Sequence, residues 1–301
     1  MKETATDHPS LVSIITVNYN GWKETCEMIE SFRHHEPHPY EIIVVDNASH
    51  GDDFRQIAAR CPEVKLVRSE RNLGFAGGNN LGIAKAVGKY LFFINNDTLI
   101  KEPVLGALVG RMQQNKQIGG VSPMLKYVSE PDLVQYAGFT ALSPVTLRNK
   151  MIGEREADRG QYSTACRTGA LHGAAMMISR EVLRKVGEMT AVYFLFYEEF
   201  DWSMRIERAG YELWYEPAAV VYHKESTTIK RNTTFREYYL SRARILFARR
   251  LFTGATKWLS CCYLCAVAAP KKSMVYAWHG EFKLAMAVLR GTAKGLFLPL
   301  G

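Results

Sequence analysis

The chain has 301 residues, 47% of them hydrophobic, and a formal net charge of +8. No apolar run approaches the roughly 18–20 residues that a membrane-spanning helix needs, and the polar start MKETATDHPS lacks the apolar core of a signal peptide. Six cysteines without a disulfide-like spacing favour a reducing, cytoplasmic setting, so we expect neither an integral membrane protein nor a secreted one.

In the first part of the chain, predicted strands alternate with predicted helices. Apolar runs rich in β-branched residues predict strands at residues 11–17, 41–45, 64–67 and 90–94. Apolar residues at helical spacing predict helices at residues 22–34, 52–61, 77–87 and 104–112. This alternation predicts an α/β fold with a doubly wound, mostly parallel sheet.

Polar clusters follow three of these strands: Asn18-Tyr19-Asn20, residues 46–49, and Asn95-Asn96-Asp97. In parallel sheets, ligands bind beyond the carboxyl ends of the strands, so we expect these clusters to share one rim. Asp97 with its flanking amides suits a hard cation such as Mg²⁺ or Mn²⁺, and His223, which ends a later predicted strand, could add an imidazole nitrogen.

The glycine-rich segment at residues 74–80, GFAGGNN, has two readings. It lacks the Gly-Lys-Ser/Thr of a P-loop and the spacing of a dinucleotide fingerprint. It is either a phosphate-cradling loop or a tight entry into a helix of small residues.

The second part of the chain is less regular. Residues 126–168 are rich in turn formers, as expected of a substrate-side loop, and strands are predicted at residues 172–178, 211–215 and 219–222, with a short helix at residues 181–186. YEEFDW, residues 197–202, places Glu198, Glu199 and Asp201 at the start of a further helix. Glu198 and Asp201 would share one face, and Glu199 would point about 100° away. The acids either stabilise the helix start or take part in chemistry.

The positive charge is concentrated at the C-terminal end. From Lys224 onward there are 14 Lys and Arg against 3 Asp and Glu. Helices are predicted at residues 235–252 and 281–297, and the apolar run at residues 258–270 lies between them. A basic amphipathic region with aromatic residues favours an anionic membrane surface over nucleic acid as partner. The alternative is a helical pair packed on the main domain with a solvated basic face.

The chain contains, in this order, the motifs VSIITVNYNG, EIIVVDNAS, RNLGFAGGNN, FFINND, HGAAMMISREVLRKVG and FLFYEEFDWSMRIERAGYELWYEPAAVVYH. Together they resemble the family 2 inverting glycosyltransferases, especially their bacterial rhamnosyltransferase-like branch. The resemblance covers about residues 10–225. It implies a GT-A fold at residues 11–225, with a nucleotide-sugar-binding half at 11–125 and an acceptor half at 126–225. A flexible N-terminus at 1–10 and a basic helical tail at 226–301 would flank this domain.

The resemblance also implies roles for donor-binding residues. Asp46 would recognise a pyrimidine base, Asn18 and Tyr19 would line the nucleotide, and Asn72 and Gly74 would approach the donor. Asn95-Asn96-Asp97 stands where the family has its D-x-D motif. Asp97 would be a direct ligand of Mg²⁺ or Mn²⁺, and His223 the second protein ligand.

Glu198-Glu199-x-Asp201 stands where the family has Glu-Asp-x-Asp. Glu199, at the second position, would be the catalytic base, with Glu198 and Asp201 as supporting acids. The flanking aromatics, Tyr197, Phe200 and Trp202, would form a wall against which the acceptor lies.

We therefore expect a metal-dependent inverting glycosyltransferase, peripheral on the inner face of the cell membrane. It would move a sugar, plausibly rhamnose from dTDP-rhamnose, to a cell-surface polysaccharide or polyprenyl-diphosphate-linked acceptor, without a nucleic-acid partner. The alternatives are a UDP-sugar donor, a nucleotidyltransferase and a non-catalytic nucleotide-sugar-binding protein. The sequence does not determine the acceptor, the linkage or the oligomeric state.

Overall fold

The computed structural model describes residues 10–224 and 233–300. Residues 1–9 of the predicted flexible N-terminus and residues 225–232 at the start of the predicted tail lie outside the described residues. The described residues form eleven strands of one sheet: β1 (Val12–Asn18), β2 (Tyr40–Asp46), β3 (Lys65–Arg68), β4 (Tyr90–Ile94), β5 (Thr98–Leu99), β6 (Ile118–Tyr127), β7 (Leu133–Tyr136), β8 (Glu156–Ala157), β9 (Cys166–Arg167), β10 (Ala175–Ser179) and β11 (Glu212–His223).

The sheet has the order β3-β2-β1-β4-β10-β6-β11-β5. The first four strands are parallel, as predicted, whereas β10 runs antiparallel to both neighbours and makes the sheet mixed. Strands β6 and β11 are parallel to each other. The carboxyl ends of β1, β2, β4, β6 and β11 and the beginning of β10 therefore share one side of the sheet, which we call the carboxyl edge.

The helices are α1 (Trp22–His35), α2 (Asp53–Arg60), α3 (Gly74–Ile83), α4 (Leu105–Gln114), α5 (Arg180–Val186), α6 (Glu198–Arg208), α7 (Thr234–Leu251), α8 (Gly254–Tyr263), α9 (Ala269–Trp278) and α10 (Phe282–Phe297). Because successive strand residues point to opposite faces, Ile14 packs under α1, α2 and α4, whereas Ile15 packs under α3, α5 and α6. Two apolar layers thus enclose the sheet and hold its carboxyl edge in place.

The structure contains five strands that were not predicted: the short β5, the strands β7, β8 and β9 within the predicted loop at residues 126–168, and β6. Strand β6 was not predicted, because Gly119, Gly120 and Pro123 interrupt its apolar pattern, yet it is almost wholly buried. The segments predicted as strands at 211–215 and 219–222 form the single strand β11, with a register shift between Glu216 and Val220. The predicted division at residue 125 falls inside β6, and both halves contribute strands to one sheet.

The C-terminal helices pack on the α/β domain. Helix α7 contributes Ile245, Leu246 and Phe247 to an apolar cluster that also contains Tyr193 and Tyr197. A π-helical turn, Leu264–Ala268, joins α8 to α9. Within the part of the chain that the structure describes, no helix combines the length and apolar character needed to cross a bilayer.

The arginines of α7 are bound to protein groups. Arg244 donates to the carbonyl of Thr146 at 2.5 Å, and Arg249 donates to the carbonyls of Gly295 and Leu298, both at 2.7 Å. Helix α7 therefore follows the alternative reading of the tail, a helix packed on the main domain. Arg244 bonds to the main domain and Arg249 to the C-terminal end of α10, so these two arginines are held by protein carbonyls and do not form a free basic face.

Candidate active site

Asn18 and Asp46 end neighbouring parallel strands and are in register. Both side chains are fully buried. The Asn18 amide nitrogen donates to Asp46 Oδ1 at 3.1 Å and to Asp53 Oδ1 at 3.2 Å, while its oxygen accepts from the Thr25 hydroxyl at 2.8 Å. Asn18 therefore orients Asp46 and is itself buried beneath the rim.

Asp46 retains one oxygen for a ligand. In the described residues, its Oδ2 is buried and has no hydrogen-bond partner; the nearest cation is Arg68, whose Nε lies 3.7 Å away. An unsatisfied buried carboxylate oxygen is costly, so a ligand N–H that reaches it would be favoured. Asp46 thus fits the predicted role of binding a donor group.

A cavity of about 400 Å³ lies near Asp46. Tyr19 and Asn72, both predicted donor-site residues, line it together with His50 and Arg68. The Tyr19 hydroxyl lies 3.1 Å from His50 Nε2, which holds the ring at the cavity wall. Tyr19 and Asn72, which are far apart in the sequence, therefore line the same cavity.

Gly74 faces protein and not the cavity. It is buried, and its φ of 71° lies in the left-handed region. A Cβ here would lie 2.0 Å from the carbonyl oxygen of Phe194, which accepts from the Phe75 N–H at 2.8 Å. Gly74 therefore begins α3 and allows the chain before α6 to approach, which supports the helix-entry reading of the glycine-rich segment.

Asp97 and His223 meet where β5 pairs with β11, and their Oδ1 and Nε2 atoms are 3.2 Å apart. The other ring nitrogen of His223, Nδ1, lies 3.0 Å from the Gln135 oxygen, so it carries the proton and donates. Nε2 therefore faces the carboxylate and would offer its lone pair to a cation bound between the two groups. Gln135 was not predicted, and only the pairing of β7 with β6 brings it here.

This pair fits a divalent cation. Two adjacent ligands about 2.1 Å from an octahedral ion lie about 3 Å apart, which is close to the observed separation of Asp97 and His223. In the described part of the chain, no group of three His, Cys, Asp or Glu side chains could hold a metal. The pair would thus supply part of a coordination shell and leave positions for ligand oxygens.

Asn95 and Asn96 occupy different positions around this pair. The Asn95 amide nitrogen lies 3.5 Å from His223 Nε2, at the limit of a hydrogen bond. The Asn96 amide donates to the Thr25 hydroxyl at 3.1 Å, which ties the predicted metal segment to α1. Asn95 therefore faces the candidate metal position, whereas Asn96 connects it with the Asn18 cluster.

The three acids of α6 occupy different environments, as the helical geometry predicted. Glu198 and Asp201 are buried, whereas Glu199 is partly exposed and lies near Gly173, two residues before β10. Partial burial, which disfavours the charged form, raises the pKa of Glu199 to about 7. A carboxylate that is half ionised near neutral pH suits a general base.

Glu198 and Asp201 have supporting environments. Burial, together with the charge of Glu199, raises the pKa of Glu198 well above its ordinary value. Asp201 Oδ1 accepts from Thr190 at 2.8 Å and from Arg205 at 2.7 Å, and its Oδ2 accepts from the Tyr193 hydroxyl at 3.0 Å. Asp201 therefore anchors α6 to the segment before it.

That segment is strained. Phe194, Phe196 and Tyr197 all have φ between 65° and 71°, a region that bulky side chains rarely adopt and that costs about 1–3 kcal/mol for each residue. The close contact with Gly74 and the hydrogen bonds of Asp201 hold this segment in place. The strain sits immediately before Glu198 and Glu199.

The aromatic wall predicted around the acids is only partly present. Trp202 is fully buried and donates to the Gly187 carbonyl at 2.9 Å, so it belongs to the core. Tyr197 is also buried, and its hydroxyl donates a hydrogen bond to the Leu147 carbonyl at 2.8 Å. Phe200 alone of the three is partly exposed, and it packs against Phe139.

His172 is a further site residue that sequence reasoning did not single out. It stacks on Phe139 with ring centroids 5.7 Å apart, and its Nδ1 accepts from the Ala174 N–H at 3.1 Å. Burial, with a smaller effect of His223, lowers the pKa of His172 to about 3, so the ring is neutral and its other nitrogen carries the proton. In the sequence, the one indication of a role for His172 was its position as a polar residue at the start of a predicted strand.

Comparison with known proteins places this geometry in a family. The family model "Glycosyl transferase family 2" matches residues 13–187. The N-acetylglucosaminyl-diphospho-decaprenol L-rhamnosyltransferase of Mycobacterium tuberculosis is 23% identical over 239 residues, which cover 72% of this chain and 78% of that protein. The low-salt glycan biosynthesis hexosyltransferase Agl10 of Haloferax volcanii is 25% identical over 251 residues, covering 80% and 76%.

Some relatives are much longer. An uncharacterized glycosyltransferase of Rickettsia felis is 32% identical over 113 residues, which cover 37% of this chain and 19% of that protein. The y4gI protein of Sinorhizobium fredii is 27% identical over 202 residues, 63% of this chain and 22% of that protein. The chain thus spans about a fifth of the length of these two relatives.

Solved structures share the fold. GalNAc-T7 with UDP, GalNAc and Mn²⁺ superposes with a TM-score of 0.68 at 16% identity, covering 92% of this chain and 56% of that one. The mannosyltransferase PcManGT of Pyrobaculum calidifontis, with GDP-Man and Mn²⁺, has a TM-score of 0.56 at 16% identity, covering 95% and 87%. These likenesses confirm the predicted GT-A fold.

Proposed function

The chain belongs to glycosyl transferase family 2, and we propose that it transfers a hexose, with inversion, from a nucleoside-diphosphate sugar to a glycan or lipid-linked acceptor. The observation that carries this proposal is the position of four side chains along one carboxyl edge. Asp46 offers an unsatisfied acceptor, Asp97 and His223 form a cation-binding pair, and Glu199 is a carboxylate with a pKa raised to about 7. Donor binding, diphosphate departure and proton removal each have a candidate residue.

Asp46 would hold the nucleobase. Its Oδ2 would accept the N3–H of uracil or thymine, and Tyr19 and Asn72 would border the nucleotide in the adjacent cavity. Asn18 would act through Asp46 by holding its other oxygen. Gly74 would act indirectly, by permitting the contact with Phe194 that shapes the donor side.

Asp97 and His223 would hold Mg²⁺ or Mn²⁺ beside the donor diphosphate. When bound, such an ion neutralises negative charge on the leaving nucleoside diphosphate. Gln135 would keep the His223 ring in the tautomer that leaves Nε2 free. Asn95, next to His223 Nε2, would border the diphosphate.

Glu199 would act as the base. Its carboxylate would take the proton of the acceptor hydroxyl while that oxygen bonds to the anomeric carbon, opposite the departing diphosphate. The carbon–oxygen bond to the diphosphate breaks, and its electron pair leaves with the nucleotide. Glu198 and Asp201 would support this geometry from within the protein.

The proposed donor is dTDP-rhamnose, with UDP-sugars as the alternative. The description of the Mycobacterium tuberculosis relative supports rhamnose and an N-acetylglucosaminyl-diphospho-prenol acceptor. We propose that the protein meets this acceptor as a peripheral protein at the inner face of the cell membrane. Exposed apolar residues of the C-terminal helices, Trp258, Met274, Trp278, Phe282 and Phe297, are interspersed with lysines and support an anionic lipid surface.

A donor panel tests the proposal. The protein would be incubated with dTDP-, UDP- and GDP-sugars, Mn²⁺ or Mg²⁺, and a short-chain N-acetylglucosaminyl-diphospho-prenol, and the products would be read by mass. We expect one deoxyhexose added from dTDP-rhamnose. If no dTDP- or UDP-sugar binds with either metal, the proposed function is wrong. A separate flotation assay with anionic vesicles tests the membrane location. If the protein does not float with the vesicles, only the proposed membrane location is wrong.

A further inference from the structure

A groove of about 740 Å³ lies between the first turns of α7 and α10. Its walls are largely apolar or aromatic and include Phe235 and Tyr239 on α7 and Phe282 and Met286 on α10. We call it the tail groove. It is separate from the cavity near Asp46, and none of the predicted site residues lines it.

The groove follows from the way the two helices pack. A Cβ on Gly291 would lie 2.2 Å from the Tyr238 carbonyl oxygen, and one on Gly295 would lie 2.6 Å from that of Arg242. The two glycines, four residues apart, therefore bring the backbones into direct contact. The groove lies N-terminal to this contact on both helices, where larger side chains border the space.

The groove is also cationic. Lys283 and Arg290 line it, and both are exposed. Within the described residues, neither is seen in an ion pair, and no Asp or Glu lines the groove. An apolar groove with two cations at its border is complementary to a ligand that combines an apolar chain with an anionic group.

The groove connects two other features. Phe282, 69% exposed, and Met286, 47% exposed, also belong to the outer apolar surface of the C-terminal helices. On the opposite wall, Tyr239 stacks on Phe194 with ring centroids 4.9 Å apart. Phe194 begins the strained segment that leads into Glu198 and Glu199, so one wall of the groove contacts the segment that precedes the candidate catalytic helix.

We propose that the tail groove binds the isoprenoid diphosphate part of a lipid-linked acceptor. The isoprenoid chain lies along Phe282 and Met286, and Lys283 and Arg290 bind the diphosphate. The inference deepens the proposed function and rests on it for the position of the reacting sugar near Glu199. The binding of the lipid diphosphate itself rests on the groove alone.

Titration of the full chain with farnesyl diphosphate, below its micelle concentration and without sugar nucleotide, tests the proposal. Farnesol and inorganic diphosphate serve as comparison ligands. We expect farnesyl diphosphate to bind at least about tenfold more tightly than either, since both the chain and the charge contribute. Equal binding of farnesol or of diphosphate, or no binding of farnesyl diphosphate, would overturn the proposal.

Matched variants localise the binding. Lys283→Ala/Arg290→Ala should weaken farnesyl diphosphate at least about tenfold, and Met286→Glu should weaken it through both charge and lost apolar surface. Lys271→Ala/Lys294→Ala removes the same charge at exposed positions outside the groove and should leave affinity within about twofold. Equal losses in the two double variants would show that general charge, and not the groove, binds the ligand. Thermal unfolding of each variant checks its fold.

The binding result and the transfer result separate the two proposals. If the protein transfers sugar from a nucleotide donor but does not bind farnesyl diphosphate, the tail groove assignment is wrong and the proposed function stands. If it binds farnesyl diphosphate as expected but no dTDP- or UDP-sugar binds or yields product, the proposed function is wrong and the groove remains a lipid-diphosphate site.

Discussion

Arg250 Nε lies 3.3 Å from Oδ2 of Asp201 and joins helix α7 to the helix that carries Glu198 and Glu199. A second arginine of α7, Arg242, donates to the carbonyl of Tyr193, in the segment before α6. Its charge also opposes the rise in the pKa of buried Glu198. The C-terminal region therefore supports the candidate catalytic helix, in addition to any role at a lipid surface.

Replacement of Asp201 tests this support. Asp201→Ala should lower the free energy of unfolding by about 3–5 kcal/mol, because it leaves Arg205 and Arg250 without their buried partner. Urea unfolding followed by circular dichroism measures the change. Asp132→Ala, at an exposed loop position, should stay within about 0.5 kcal/mol. Similar losses in the two variants would mean that Asp201 is not an anchor.

The raised pKa of Glu199 predicts that the rate of sugar transfer depends on pH. A base must be ionised, so kcat/KM should rise about tenfold per pH unit as pH approaches about 7 and become constant above it. Initial rates at saturating metal, over about pH 5 to 9, measure the profile. A profile without a change near neutral pH would remove the assignment of Glu199.

Glu199→Gln separates catalysis from binding. Loss of the base should lower kcat by about 10²–10⁴-fold, while donor affinity, which we assign to Asp46 and the cation pair, should remain. Glu207→Gln, a change of the same kind on α6, should keep turnover. A Glu199→Gln protein with normal turnover would place the base elsewhere, whereas a wild-type protein that binds donor without turnover would be a non-catalytic binding protein.

The contact of Gln135 with His223 predicts that Gln135 affects metal affinity indirectly. Gln135→Ala should weaken Mn²⁺ binding by about 10–100-fold, because His223 loses the partner that fixes its tautomer. Electron paramagnetic resonance titration of Mn²⁺ with a nucleoside diphosphate present would measure it. Gln161→Ala, an exposed glutamine, is the control, and an equal effect of both changes would contradict the proposed role.

The close approach of Gly74 to Phe194 predicts that any side chain at position 74 destabilises the fold. Gly74→Ala should destabilise the fold by at least about 2 kcal/mol, since the Cβ would lie 2.0 Å from the Phe194 carbonyl oxygen at a positive φ. Gly106→Ala, in α4, should stabilise by about 0.5–1 kcal/mol, because among the described residues no atom beyond its own helical backbone and chain neighbours would lie within 4 Å of the Cβ. Chemical unfolding of both variants provides the comparison, and a tolerant Gly74 would contradict the close contact.

Much of the fold could be predicted because local patterns decide it. The strands ending at Asn18, Asp46 and Ile94 are continuous apolar runs, as buried parallel strands require. Strand β6 could not be predicted, because its glycines and Pro123 resemble a turn and only its pairing with β10 and β11 makes it a strand.

The sequence by itself determined the α/β alternation, the residues at the strand ends and the different faces of Glu198 and Glu199, because each depends on short-range periodicity. Only the tertiary structure decided that Gln135 supports His223, that His172 joins the site and that Arg250 binds Asp201. These contacts join elements far apart in the chain, and their geometry depends on strand register and helix packing. The basic tail shows the same difference: its charge is visible in the sequence, but the bond of Arg244 to the domain and the bond of Arg249 to α10 depend on how α7 packs.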